Sequence, residues 1–206
     1  MPGLFPRWSD LAFRAGLGAI VLVAIGVPVG LMAYVRTPYN QDRHLVIEQP
    51  VQFDHRHHVE DDGIECLYCH SAAERAASAG VPATEVCMGC HSQVWNQSTL
   101  LAPVRDSFYS DRPIAWNRVH DLPDFVHFDH SVHVAAGVKC VQCHGDVNRM
   151  PLVHKTNALT MEFCLDCHRH PTEHVAGYVA MRSAAHPPKG SGFSRDTLSS
   201  CTACHR

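Results

Sequence analysis

The chain is poor in charge and in aromatic residues. Of its 206 residues, Lys, Arg, Asp and Glu make up 18% and Phe, Trp and Tyr only 8%. The formal net charge is -3 with histidine neutral, which excludes a strongly basic nucleic-acid binder, and no nucleic-acid partner is expected. The charge is also too low for a long disordered tail, which stays unfolded by solvating many like charges. The hydrophobic share is 46%, but much of it lies in the first 35 residues. The rest therefore has less apolar material than an ordinary enzyme core needs. Alternating apolar runs that would announce β-strands are nearly absent. What the chain does have is 10 cysteines and 17 histidines. Something other than side chains is expected to fill its core.

Ala15 to Val35 are 21 residues without a charge, about the length that crosses a bilayer core as a helix. A secretory signal has a shorter apolar region, about 7–15 residues, and ends at a small-x-small cleavage site. Here the run ends in Leu31-Met32-Ala33-Tyr34-Val35 with no clear site, so an uncleaved anchor is expected over 15–35. Arg7 and Arg14 precede it and Arg36 and Arg43 follow, which biases orientation only weakly. Gly26, Pro28 and Gly30 are common membrane-helix residues that also permit close approach of another helix.

All ten cysteines fall into five copies of one pattern. They are Cys66-Leu-Tyr-Cys69-His70, Cys87-Met-Gly-Cys90-His91, Cys140-Val-Gln-Cys143-His144, Cys164-Leu-Asp-Cys167-His168 and Cys201-Thr-Ala-Cys204-His205. C-x-x-C-H is the attachment signature of c-type haem. Two thiols on one turn form thioethers with the two porphyrin vinyl groups, and the next residue lies under the iron as proximal ligand. Zinc ribbons pair two C-x-x-C units on one metal and need no histidine after each. Thioredoxin-type sites need a βαβ context, and disulfide frameworks do not keep this fixed spacing. Five covalently bound haem c groups are therefore expected, with His70, His91, His144, His168 and His205 as proximal ligands.

The chain is internally duplicated. Phe53-Asp-His55-Arg-His-His58-Val matches Phe128-Asp-His130-Ser-Val-His133-Val at an offset of 75, while Gly63 and Cys66 match Gly137 and Cys140 at 74. A second motif follows 21 residues later in the first copy and 24 in the second, and the fifth stands alone at the C-terminus. Three parts are expected: 1–40 as a cytoplasmic tip and anchor, 41–110 as a two-haem unit, and 111–206 as its duplicate plus the fifth haem. A linker from about Ser92 to Leu122 carries Pro103 and Pro113. Elsewhere only short helices such as Ser71–Ala79 are expected, joined by loops wrapped around the haems, with little or no sheet.

A low-spin electron-transfer haem needs a sixth ligand, usually His or Met. F-x-H-x-x-H, 8 to 13 residues before a C-x-x-C-H motif, puts two imidazoles on one helical face. His55, His58, His130 and His133 are the expected distal ligands. For the fifth, Met150 is preferred, with His120 and His154 behind it; Met161, three residues before Cys164, reads as packing against its haem. A thioether ligand would raise the potential of its haem. His44, His57, His127, His170, His174 and His186 read as surface or propionate-contacting residues.

These units resemble small multihaem cytochromes of the c3/c7 type. The longer stretch from Pro113 through His120, Phe128, His130, His133, Met150-Pro-Leu and Met161-Glu-Phe-Cys164 to Arg206 is similar to the membrane-anchored pentahaem subunit of alternative complex III. The resemblance covers the anchor and all five motifs. It implies an electron wire between an iron–sulfur subunit and a monohaem cytochrome c or oxidase, beside polytopic quinol-binding subunits. Haem attachment on the outer side implies an inner-membrane anchor and a periplasmic haem domain. A stand-alone quinol dehydrogenase feeding a periplasmic reductase is the alternative. A nitrite-type reductase would need an open iron, and its usual mark, lysine for the motif histidine, is absent from all five motifs.

Overall fold

A computed structural model describes residues 6, 8–175 and 198–205; Arg7, His186 and Arg206 lie outside them. The chain divides into two compact units, 1–43 and 44–206.

The first unit is helix α1, Trp8–Val35, whose 28 residues make it long and apolar enough to cross a membrane. The uncharged run 15–35 lies inside it. The helix begins earlier because Ser9 bonds back to Pro6 and Asp10 sits in the first turn, paired with Arg14 one turn on. Pro28 is accommodated within the helix. At the far end the Thr37 hydroxyl donates to the Tyr34 carbonyl, and Pro38 follows, which cannot continue the helix.

The second unit is a run of short helices. A π-helix spans Arg56–Asp61, followed by α2 (Cys66–Cys69), a 3-10 turn at Ser71–Glu74 and α3 (Thr84–His91). A 3-10 turn at Thr99–Leu101 leads into α4 (Ala102–Ser110), then α5 (His130–Ala135) and α6 (Cys140–His144). A 3-10 turn at Val147–Arg149 precedes α7 (Met161–Arg169), α8 (Pro171–His174) and α9 (Cys201–Cys204). Among the described residues there is no sheet, only an isolated bridge between Val46 and His154. The helix expected over Ser71–Ala79 is cut to its first four residues. Arg75 leaves helical geometry at φ -131°, and the Ala77 carbonyl bonds to His130 instead.

The stretch expected as a linker is more ordered than its prolines suggest. Ser98 caps the turn before α4, Pro103 sits in the first turn of α4, where its missing N–H is harmless, and Asp111 ends the helix in the left-handed region. The helix lies against α3, and Val51, Met88 and Val104 form a cluster ringed by Cys87, Leu101, Ile114 and Trp116. Beyond this cluster the core is thin. Among the described residues only Val51, Ala73, Met88, Val104, Met150, Pro171 and Val175 are buried apolar side chains, and none is fully enclosed. So few cannot offset the ordering entropy of a unit this size, so the fold needs another apolar filler.

Candidate haem-binding site

The two histidine turns are copies down to their ring geometry. The Phe53 ring meets His55 edge-on at 4.7 Å and stacks on His58 at 4.4 Å. Phe128 meets His130 edge-on at 4.8 Å and stacks on His133 at 4.4 Å. His58 Nδ1 donates to the Asp54 carbonyl, and His133 Nδ1 to that of Asp129. Each turn closes alike: Ile64 N donates to the His58 carbonyl at 2.8 Å, and Val138 N to that of His133 at 3.0 Å. Gly63 and Gly137, at φ +67° and +78°, make the reversal before the cysteines in the left-handed region.

The first copy holds one residue more than the second between its phenylalanine and its first cysteine, which is why the offset drops from 75 to 74. The extra residue is absorbed in the π-helix Arg56–Asp61, where the second copy has the α-helical α5. A π turn is an α turn with one residue inserted, and here it leaves both histidines in place.

The histidines of these turns face those of the cysteine motifs. Ring centroids are 6.0 Å apart for His58 and His91, 6.3 Å for His130 and His144, and 6.0 Å for His133 and His168. Two imidazoles on opposite sides of one metal, each with a bond of about 2 Å and a ring radius of about 1.1 Å, have centroids about 6 Å apart. Burial pushes the pKa of His55 down to about 4, with the charge of His70 and then that of His58 the next causes. Burial also lowers the pKa of His133 and of His144, the latter with help from His130 and His70. The neutral imidazole these environments favour is the form that binds metal.

The protons are placed for the same task. His70 Nδ1 bonds to the Gly80 carbonyl at 3.0 Å, His91 Nδ1 to that of Val94 at 3.0 Å, His168 Nδ1 to that of Leu198 at 2.8 Å, and His205 Nδ1 to that of Phe125 at 3.2 Å. His130 Nδ1 reaches the Ala77 carbonyl at 2.8 Å. A carbonyl only accepts, so each Nδ1 carries a proton, which leaves Nε2 as the nitrogen available to a metal. The Nδ1 of His55 is buried without a partner.

The ten cysteines are unpaired thiols, from exposed to half-buried. In the first motif His70 N bonds to the Cys66 carbonyl and in the last His205 N to that of Cys201, both at 2.9 Å, so both cysteines and the histidine share one turn. Burial raises the pKa of Cys87, Cys140, Cys143 and Cys164, that of Cys143 to about 11. The second cause in each case is a thiol of another motif: Cys69, Cys66, Cys167 and Cys204 respectively. Among the described residues no three His, Cys, Asp or Glu converge as a bare metal ion would require.

The candidates for the fifth distal position are scattered. Met150 is buried and ends the Val147–Arg149 turn, which packs on the π-helix. His120 has a buried Nε2 with no partner, its ring 4.3 Å from His144, and burial pushes its pKa down to about 4. His154 bonds through Nδ1 to the Leu152 carbonyl and lies 5.4 Å from His44. The ring beside His205 is Phe125, stacked at 5.8 Å. Met161 stands at the start of α7, 67% exposed. His57 pairs with Asp61 and Asp54, while His170 and His174 flank Asp166. The carbonyls of Ala77 and Leu198 and the Phe125 ring carry no mark in the sequence, because their roles depend on contacts 30 to 80 residues away.

These residues fit haem: paired imidazoles at metal-spanning distance, thiols one turn away, and a protein core too thin without a filler. A family described as cytochrome c7 and related cytochrome c matches residues 126–206. The chain is also 30% identical over 186 residues, 89% of its length and 77% of the relative's, to the multihaem cytochrome c subunit of menaquinone reductase from Nitratidesulfovibrio vulgaris (strain Hildenborough).

Proposed function

The chain belongs to the multihaem cytochrome c family, with haem c bound covalently, and from that premise we propose that it carries five haems as the electron-transfer subunit of a membrane-bound quinone oxidoreductase. Bound haem supplies one-electron chemistry at its iron. The chain's own residues fix where that chemistry happens. Cys66 and Cys69, Cys87 and Cys90, Cys140 and Cys143, Cys164 and Cys167, and Cys201 and Cys204 anchor the rings.

The paired rings are the observation that supports the axial ligands. His70 with His55, His91 with His58, His144 with His130 and His168 with His133 would each hold one iron from both sides. A doubly ligated iron is closed to substrate, which favours electron transfer over catalysis at the metal. His205 is the proposed proximal ligand of the fifth, and Met150 is the proposed fifth distal ligand, with His120 and His154 as competitors. The backbone carbonyls behind the imidazoles orient the rings and raise their basicity.

Helix α1 is the proposed inner-membrane anchor, with the haem unit on the periplasmic side. The proposed complex is of the alternative complex III kind. There the subunit takes electrons from an iron–sulfur subunit beside polytopic quinol-binding partners and delivers them to a monohaem cytochrome c or an oxidase. A second reading follows from the relative's name: the same wire run toward menaquinone. Purification from native membranes with intact-mass analysis tests both. Five haems and co-purifying iron–sulfur and polytopic subunits support the complex, and a soluble reductase as the sole partner contradicts it. Electron flow from quinol to an added cytochrome c, against flow from a reduced donor to menaquinone, separates the two directions.

A further inference from the structure

We infer that the five C-x-x-C-H motifs stand in space in the order second, first, third, fourth, fifth. The two ends of the path, where electrons enter and leave, are then Cys87–His91 and Cys201–His205. The inference rests on the proposed haem-binding role and adds the order, which the sequence numbering does not give.

Each link has its own contacts. The second motif joins the first through the Phe53 turn: His58 faces His91, while His55, three residues away on the same turn, feels the charge of His70. The first joins the third through Ala77, seven residues past His70, whose carbonyl accepts from both the N–H and the Nδ1 of His130, at 3.1 and 2.8 Å. Helix α5, which starts at His130, packs on the Ser71–Glu74 turn that follows the first motif, and His130 faces His144 of the third. The third joins the fourth through the Phe128 turn, where His133 faces His168. The fourth joins the fifth through Leu198, whose carbonyl takes the Nδ1 of His168 three residues before Cys201. The fifth is held on its other side by Phe125 and His127, just ahead of the same turn.

The thiols trace the same path. After burial, the largest influence raising the pKa of Cys87 is Cys69, of Cys140 Cys66, of Cys143 Cys167 and of Cys164 Cys204. The two modules are therefore joined through their first motifs, which turns their second motifs outward. The fifth motif extends the chain beyond the fourth. At the opposite end, the second motif packs instead on the linker, through Met88 of α3 against Val104 of α4.

An electron cryomicroscopy or crystal structure of the holoprotein in its native complex decides the matter. The expected result is that the four shortest iron–iron separations are second–first, first–third, third–fourth and fourth–fifth. Five haems with any other set of nearest neighbours, such as second beside fourth or fifth beside first, would overturn the order and leave the proposed function standing. Fewer than five haems, or another metal at the cysteines, would overturn the haem-binding role itself.

Discussion

His130 and His144 face one another at 6.3 Å with ring planes 9° from parallel. His130 comes from a turn fourteen residues upstream and is held from behind by Ala77 of the other module. In the His130→Ala variant the third haem should keep its thioethers and lose its sixth ligand. The haem content by pyridine haemochrome should stay at wild-type level while one haem moves from the low-spin to the high-spin signal in electron paramagnetic resonance. An unchanged low-spin signal would mean that His130 is not a ligand.

Phe128 contacts both ligands of its turn, so Phe128→Ala should disturb the third and fourth haems together. Phe53→Ala should do the same to the first and second. The ring is only partly buried, so the loss of stability should be smaller than the ~3–5 kcal/mol of a fully buried Phe→Ala change. Thermal melts followed at haem wavelengths would show it, and equal effects on all haems from either variant would contradict the modular account.

Met150 is the proposed thioether ligand. Magnetic circular dichroism of the oxidised wild type should show a sulfur-to-iron charge-transfer band, and Met150→Leu should abolish it. A wild-type spectrum without that band would remove Met150 and favour His120, whose buried Nε2 has no protein partner.

The anchor makes its own prediction. The mature protein should retain the Ala15–Val35 segment and stay with membranes through an alkaline wash. N-terminal sequencing that begins after Val35 would make α1 a cleaved signal instead.

The cysteine–histidine turns were legible in the sequence, because one short spacing recurs five times and a spacing that short closes within a single turn. The histidine turns were legible for the same reason: F-x-H-x-x-H recurs, and its phenylalanine turns out to be the platform for both rings. The one-residue change of offset was visible too, but not its resolution as a π-helix, since π and α turns share the same residue preferences. Pro103 read as linker and instead opens α4, a position where proline is well suited to a helix. Which histidine meets which motif was not legible. That is fixed by contacts such as His130 to Ala77 and His168 to Leu198, 53 and 30 residues apart, which leave no periodic trace.

The central claim is that this chain conducts electrons between partners and does not itself oxidise quinol. The direct test is the rate of haem reduction by a menaquinol analogue, measured on the isolated chain and on the intact complex. The account predicts rapid reduction in the complex and none beyond the uncatalysed background in the isolated chain, whose haems remain reducible by dithionite. An isolated chain that turns over quinol unaided would contradict it.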